Sequence, residues 1–264
     1  MIRAVFFDGV AMNLSASNWM SAKGYVQLLG ADRSAFGWEW LRRSSSYRQA
    51  WNAQLNRQST DRPDPRRFGL ERFEDPALGA PWARPVWSAS ADPNVICAGV
   101  VDPFARAADR IDLRALSHLV SLAIDEQEIE HLLLSDGRRS IRIDIVEGTL
   151  IGCPASLRFT LHGIAKLRGP LATLGRLARL VETGRFPEPS GATTRRHARW
   201  VVELRVADAV MAGASHQQIA RVLFDGLVAD RRWRTESASL RQRVQRLAAG
   251  AHASLERPLD RWFA

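Results

Sequence analysis

Apolar positions recur at helical spacing toward both ends of the chain and alternate through its middle. The C-terminal stretch from Arg195 to Leu255 gives three helical patterns in succession. The first runs from Arg199 to Ala212 and places Val202, Val206, Ala209 and Val210 on one face. Gly213 then permits a sharp turn, because glycine takes positive φ without a steric penalty. The second pattern opens at Ser215, whose hydroxyl suits an N-cap, and carries Ile219, Val222, Leu223 and Phe224. The third starts near Ser237 or Ser239 and lines up Leu240, Val244, Leu247 and Ala251. This order predicts a helical head built on helix-turn-helix logic. The stretch Asp225 to Glu236 between the last two helices is longer than the usual turn of about 3–4 residues. It predicts an added element, a short helix ending at Trp233.

The middle of the chain alternates instead. Pro93 to Ala98 reads as a short strand, and Asp112 to Ile124 as a helix with Leu113, Leu116, Leu119 and Val120 on one face. His131 to Leu134 and Ser140 to Val146 read as a hairpin through Asp136-Gly137, a pair suited to a type I′ turn. Ile141, Ile143 and Ile145 alternate with Arg142, Asp144 and Val146, which predicts one buried face. Ala155 to His162 alternates through Leu157, Phe159 and Leu161. A helix then runs from Pro170 to Thr183, with Gly184 as its stop.

Nearer the start, Trp19 to Gln54 reads as a helical unit dense in aromatics (Trp38, Trp40, Tyr47 and Trp51), suited to a cap or an interface. The stripe Phe36, Trp40, Arg43 reads as packing rather than base stacking. Ser59 to Arg84 is rich in Pro, Asp and Arg with no sustained period, so it reads as an arm across the next domain or a neighbouring subunit. The expected fold class is α+β: an N-terminal helical segment, a small antiparallel sheet with packed helices, and a C-terminal all-α helix-turn-helix-like domain. The expected boundaries are a leader without fixed order at 1–18, with Met12 or Met20 as the natural start, the helical segment at 19–58 and the arm at 59–85. A middle oligomerisation domain follows at 86–186, a linker at 187–194 and the head at 195–264.

Composition changes this picture in one respect. The chain has 264 residues, 46% of them hydrophobic, with a net charge of +9 and an isoelectric point near 10.9. Nearly all the positive charge is arginine, a bias that coding-DNA composition can produce, so its clustering matters more than its total. From Arg195 onward 13 Arg face 7 Asp and Glu, and between Arg231 and Arg246 six Arg face Glu236 alone. A clustered basic stripe is the footprint of phosphate contact. On the third helix Arg241, Gln242, Arg243, Gln245 and Arg246 fill the positions between the apolar ones, and Arg pairs with guanine and Gln with adenine in a major groove. These five residues are the candidate base contacts. Ser237 and Ser239 at that helix's start, and His216 and Gln217 at the start of the second, join them as candidate DNA contacts. Arg231, Arg232 and Arg234 of the insertion are candidate phosphate clamps or simply solvated.

Candidate chemistry is missing elsewhere. The opening MIRAVFFDGV resembles the first strand of a haloacid-dehalogenase-type phosphatase, but Asp8 runs directly into Gly9 and the second aspartate is absent. No Walker loop, GxGxxG or Gly-x-Ser-x-Gly occurs. His118, His131 and His162 have no partner at metal-ligand spacing and read as surface or hairpin residues. Asp125, Glu126, Glu128 and Glu130 read as the solvated end of a helix. Cys97 and Cys153 give no disulfide framework or metal spacing, and Cys153 before Pro154 reads as a small buried residue. No catalysis, cofactor, metal or membrane span is expected, and a reducing cytoplasm fits.

Several segments together carry a resemblance. They are VWSASADPNV at 86–95, EHLLLSDGRRSIRIDIVEGT at 130–149, LARLVETGRFP at 177–187, ELRVADAVMAGASHQQIARVLF, Trp233 and SLRQRVQRL. The N-terminal GYVQLLGADRSAFGWEWLRRSSSYRQAW adds a weaker match. The chain resembles the RovC-like family of bacterial transcription regulators, the type VI secretion type. That resemblance implies sequence-specific binding of double-stranded DNA by the C-terminal domain, gene activation, and assembly into a ring-like, hexameric homo-oligomer. It implies work at the nucleoid, with RNA polymerase as a further partner and with secretion or mobile-element genes as targets. An accessory DNA-binding factor of an integrative element and a non-catalytic assembly module remain the alternatives.

Overall fold

A five-stranded sheet forms the middle of the molecule, in the order β2-β3-β4-β1-β5. Its strands are β1 (Ile96–Asp102), β2 (Val120–Ile124), β3 (Glu130–Ser135), β4 (Ser140–Glu147) and β5 (Ser156–Thr160). The computed structural model describes residues 18–56, 63–102, 106, 109–188, 191–224, 238–259 and 262–263. The expected leader up to residue 17 and the expected helix at Trp233 lie outside the described residues.

The fold is α+β, and the sheet departs from the sequence reading in three ways. It is mixed rather than antiparallel, because β1 inserts between β4 and β5 and runs parallel to β4. The helix expected over Asp112 to Ile124 is instead a run of turns followed by β2, which pairs antiparallel with β3. Leu116, Leu119 and Val120 still reach the core, and the β-branched Val120 and Ile124 fit the pleat. The hairpin turn centres on Gly137 and Arg138 rather than on Asp136-Gly137. Among the described residues only Gly137 of that pair has positive φ, at 86°. Asp136 sits one position earlier, and its carboxylate accepts from the Arg138 and Arg139 amides at 2.9 and 2.7 Å.

Both faces of β3 and β4 are buried. One face packs Leu132, Leu134, Ile141, Ile143 and Ile145 against Leu177 and Leu180 of α3 (Arg168–Thr183). Gly184 ends that helix in the left-handed region at φ 67°. The opposite face, expected to meet solvent, carries His131, Arg142 and Asp144, all buried. The arm and the residues just after it cover it: Leu70 of the arm and Trp87 form a β-bridge, and Arg142 Nε donates to the Trp87 carbonyl at 2.9 Å. The arm thus lies across its own chain. A Cβ on Gly137 would fall 1.7 Å from the Pro81 carbonyl oxygen, so arm and hairpin meet backbone to backbone.

The arm is pinned in turn to α1 (Arg33–Leu41) and α2 (Ser45–Leu55). Trp38 Nε1 donates to the Leu78 carbonyl at 2.9 Å, and the Tyr47 hydroxyl to the Glu74 carbonyl at 2.6 Å. Asp32 caps α1 through the Ala35 amide and also accepts from the Ser140 amide, tying the helix to β4. Burial raises the pKa of Asp32. Phe36 and Trp40 are fully buried, so the aromatic stripe packs as the sequence suggested.

The C-terminal helices are α4 (Gly191–Met211), α5 (His216–Leu223) and α6 (Ala238–Glu256). They share one apolar cluster with the N-terminal segment. Trp19, Tyr25, Leu28 and Phe36 join Trp200, Leu204, Ile219, Val244, Ala248 and Trp262 there. Phe36 stacks on Trp262 at 5.6 Å and meets Trp200 edge-on at 5.0 Å.

Candidate nucleic-acid interface

The head is organised around the turn between α4 and α5. At the end of α4 the Gly213 amide donates to the Val210 carbonyl and the Ala214 amide to the Ala209 carbonyl, at 3.0 and 2.9 Å. With Gly213 at φ 73° this is a Schellman ending, which satisfies the last carbonyls of α4. Ser215 then caps α5. Its hydroxyl accepts from the Gln218 amide at 3.3 Å while the Gln218 side chain accepts from the Ser215 amide at 2.7 Å. Both ends of the turn are therefore fixed by hydrogen bonds.

The last turn of α4 is also held from outside. Asp208 accepts from Arg43 Nε at 2.6 Å and Nη2 at 2.9 Å, and from the Tyr25 hydroxyl at 2.5 Å. Arg43 reaches Glu39 as well, and Glu39 takes Arg42 Nε at 2.9 Å. Burial alone would raise Glu39; the two guanidiniums beside it outweigh that and hold its carboxyl at about 2. Burial and the Asp208 carboxylate push the Tyr25 hydroxyl up. Arg205 donates to the Trp19 and Met20 carbonyls at 3.0 and 3.1 Å. The N-terminal segment thus grips α4 along its length.

α6 buries Leu240, Val244, Ala248 and Ala251, close to the stripe read from sequence, with Leu247 partly buried. Ser239, Gln242, Arg243, Gln245 and Arg246 are exposed and Arg241 is half-buried. Arg243 lies over the Phe224 ring at 4.4 Å, so one of the predicted base contacts also packs within the head. On α5 His216 is exposed and Gln217 half-buried. Ser237, Arg231, Arg232 and Arg234 lie outside the described residues. The sequence reading passed over Arg221, which is exposed on α5 four residues after Gln217. Their i,i+4 spacing was the signal, since such positions share a helix face.

Other expected features are corrected here. His131 lies in the hairpin, but it is buried rather than at the surface. Its Nδ1 lies 2.6 Å from Asp144 Oδ1 and its Nε2 3.3 Å from Asp125 Oδ2. Arg142 Nη2 also reaches Asp144, at 2.7 Å. Burial would lower His131, but the Asp144 hydrogen bond and the surrounding carboxylates raise it. Burial would raise Asp144, but His131 and Arg142 hold it down. The acidic run is the turn between β2 and β3, not a helix end. Asp125 accepts from the Gln127 and Ile129 amides, and Glu130 is buried, taking the Thr149 hydroxyl and the Leu150 amide. Cys153 is exposed, because residues 151–153 bulge outward between β4 and β5. Among the described residues no group of three His, Cys, Asp or Glu is placed to hold a metal, and no helix is long and apolar enough to cross a membrane.

Residues 163–257 match the family described as T6SS, transcription factor, DNA binding domain, the RovC type. Residues 18–71 match a proteobacterial transcriptional regulator-like domain. No curated protein and no solved structure matches the chain. The first match spans α3 to α6 and the second spans the helices that grip α4. With a DNA-binding domain of that type at one end and a regulator-like domain at the other, the chain carries the domains of a DNA-binding transcription regulator.

Proposed function

We propose that the protein is a sequence-specific activator of a secretion or mobile-element operon, working as a homo-oligomer in the cytoplasm on nucleoid DNA. The carrying observation is that the DNA-binding match falls on a head whose outer surface presents Gln242, Arg243, Gln245 and Arg246. Residues 195–264 hold the DNA, with the α6 face and the start of α5 as contacts, and Arg231, Arg232, Arg234 and Ser237 of the connecting stretch as further ones. Residues 86–186 form the oligomerising body. In support, β5 is a sheet edge, and Phe159, Ile164 and Leu171 on or after it and Val101 on the neighbouring β1 are exposed apolar side chains, with Ile164 at 90%. A hexameric ring would raise the effective concentration of heads on repeated sites. RNA polymerase is the partner an activator needs.

Binding of promoter DNA by the full-length chain tests this reading. Each phosphate neutralised releases counterions, so the affinity should fall linearly on a log–log plot of binding constant against salt. A flat response would overturn it. Genome-wide footprinting then names the operon, and sites confined to integrase and transfer genes would favour an accessory factor of an integrative element.

A further inference from the structure

The sheet ends in two edges of opposite charge. Among the described residues no strand pairs with the outer side of β2 or of β5. Each is five residues long, so the two offer ladders of equal length. An open edge presents a row of backbone donors and acceptors that another strand can satisfy.

The pairings within the sheet fix the direction of these edges and the side chains they show. β2 is antiparallel to β3 and β3 to β4, β4 is parallel to β1, and β1 is antiparallel to β5. β2 and β5 therefore run in opposite directions. A second copy related by rotation about an axis parallel to the strands brings its β2 antiparallel to β5, with the two faces of the sheet kept in step. Val120 and Leu122 pair with Leu134 and Leu132, and Leu157 and Phe159 pair with Val100 and Ala98. All four thus lie on the face that holds the leucine and isoleucine core. The apolar row runs out to both edges, where Ile124 and Phe159 are exposed. Joining the edges continues that row from one copy into the next and covers both side chains.

Charge selects which edges meet. Beyond the end of β2 the turn presents Glu126 and Glu128, both exposed. β5 carries the exposed Arg158, which also holds Glu147 of β4 at 2.5 Å. The exposed Arg114 stands just before β5, donating to the Gly152 carbonyl at 3.0 Å. Antiparallel pairing sets the start of β5 beside the end of β2, and so brings these arginines toward the glutamates. Two β5 edges joined about a two-fold axis would instead set Arg158 against Arg158 at mid-strand, and like charges directly opposite destabilise a pair of strands.

We propose that the protein assembles head to tail, the β2 edge of one copy adding to the β5 edge of the next, with Glu126 and Glu128 facing Arg114 and Arg158 of the neighbouring copy. This rests on the homo-oligomer reading above. The contact is heterologous, so every copy in the series uses both edges once the series closes on itself.

Charge reversal tests it, with the mass of the full-length protein measured by light scattering at low salt. Glu126→Arg with Glu128→Arg makes the β2 end basic, and Arg114→Glu with Arg158→Glu makes the β5 end acidic. The wild type should exceed the 29.5 kDa of one chain, and each reversed chain should fall to it. Mixed in equal amounts, the two reversed chains should regain a multimeric mass, because every basic edge then meets an acidic one. A chain carrying all four substitutions should assemble by itself. Recovery on mixing also excludes misfolding as the cause of the loss. Reversed chains that keep the wild-type mass would overturn the pairing, as would a mixture that stays at the mass of one chain. A wild type at that mass would instead overturn the oligomer reading beneath it.

Discussion

Asp208 is the residue through which the N-terminal segment acts on the reading head. It stands in the last turn of α4 and takes a two-point contact from Arg43 and one from Tyr25. Removing it leaves Arg43 buried with Glu39 as its remaining carboxylate. Asp208→Ala is therefore expected to cost about 3–5 kcal/mol in chemical denaturation, as for half of a buried pair. Arg43→Lys should not preserve stability, since an ammonium cannot fork onto both carboxylates. A denaturation midpoint unchanged in Asp208→Ala would show that the network carries no net energy. The second buried cluster makes a pH prediction. His131 faces Asp144 on β4, Asp125 in the neighbouring turn, Glu71 on the arm and Arg142 beside it. Its pKa is raised above the ordinary 6.5, so the folded chain holds a proton the unfolded chain gives up. That stabilisation is complete below 6.5 and is lost as pH rises through the raised value. Stability measured from about pH 6 to pH 9 should fall in the wild type and fall less in His131→Asn. Parallel curves would remove His131 as the titrating group.

At the scale of elements, the helix ends were the most legible feature. Ser215 and Gly184 were read as cap and stop, and both serve so, because each role needs only a local side chain or a local φ. The same locality makes the turn before α5 testable. Gly213→Ala meets no atom within 4 Å, so its cost is backbone strain alone at φ 73°, about 1 kcal/mol. Ser215→Ala loses the capping box for a similar amount, about 1 kcal/mol. Both should lower the thermal midpoint of the full chain, and unchanged midpoints would mean that the turn is not fixed as described. What depended on distant chain was not legible. Arg142 and Asp144 alternate with isoleucines as solvent-facing residues do, and the distant Trp87, which follows the arm in sequence, helps make their face an interior. Asp112 to Ile124 carries Leu113, Leu116 and Leu119 at helical spacing but ends in the β-branched Val120 and Ile124, and pairing with β3 makes Val120 to Ile124 a strand.

For the whole molecule the consequence is that the head borrows its core. Trp200 and Trp262 bury their rings against Phe36, and Leu204, Val206 and Ala207 share a cluster with Trp19, Tyr25 and Leu28. Arg205 and His197 of α4 add hydrogen bonds to N-terminal carbonyls, the latter to Leu29 at 2.9 Å. A fragment restricted to 163–257 would expose the apolar side of α4 that these residues cover. Burial of one large side chain contributes about 1.5–3 kcal/mol, so losing several such partners exceeds the margin of a small domain. The fragment is expected to melt without a cooperative transition, and adding residues 18–71 as a separate chain should restore one. A fragment that unfolds at the full-length midpoint would show that the head is self-sufficient. The coupling also has a functional side. Asp208 lies five residues before Gly213, so the N-terminal segment holds α4 close to the turn that leads into α5. Tyr25→Phe removes one hydrogen bond from that grip at a cost of about 1 kcal/mol, too little to unfold the chain. It should lower affinity for promoter DNA more than for a random duplex, because base contacts demand a more exact placement of the head than phosphate contacts do. Equal loss on both duplexes would confine the N-terminal grip to stability.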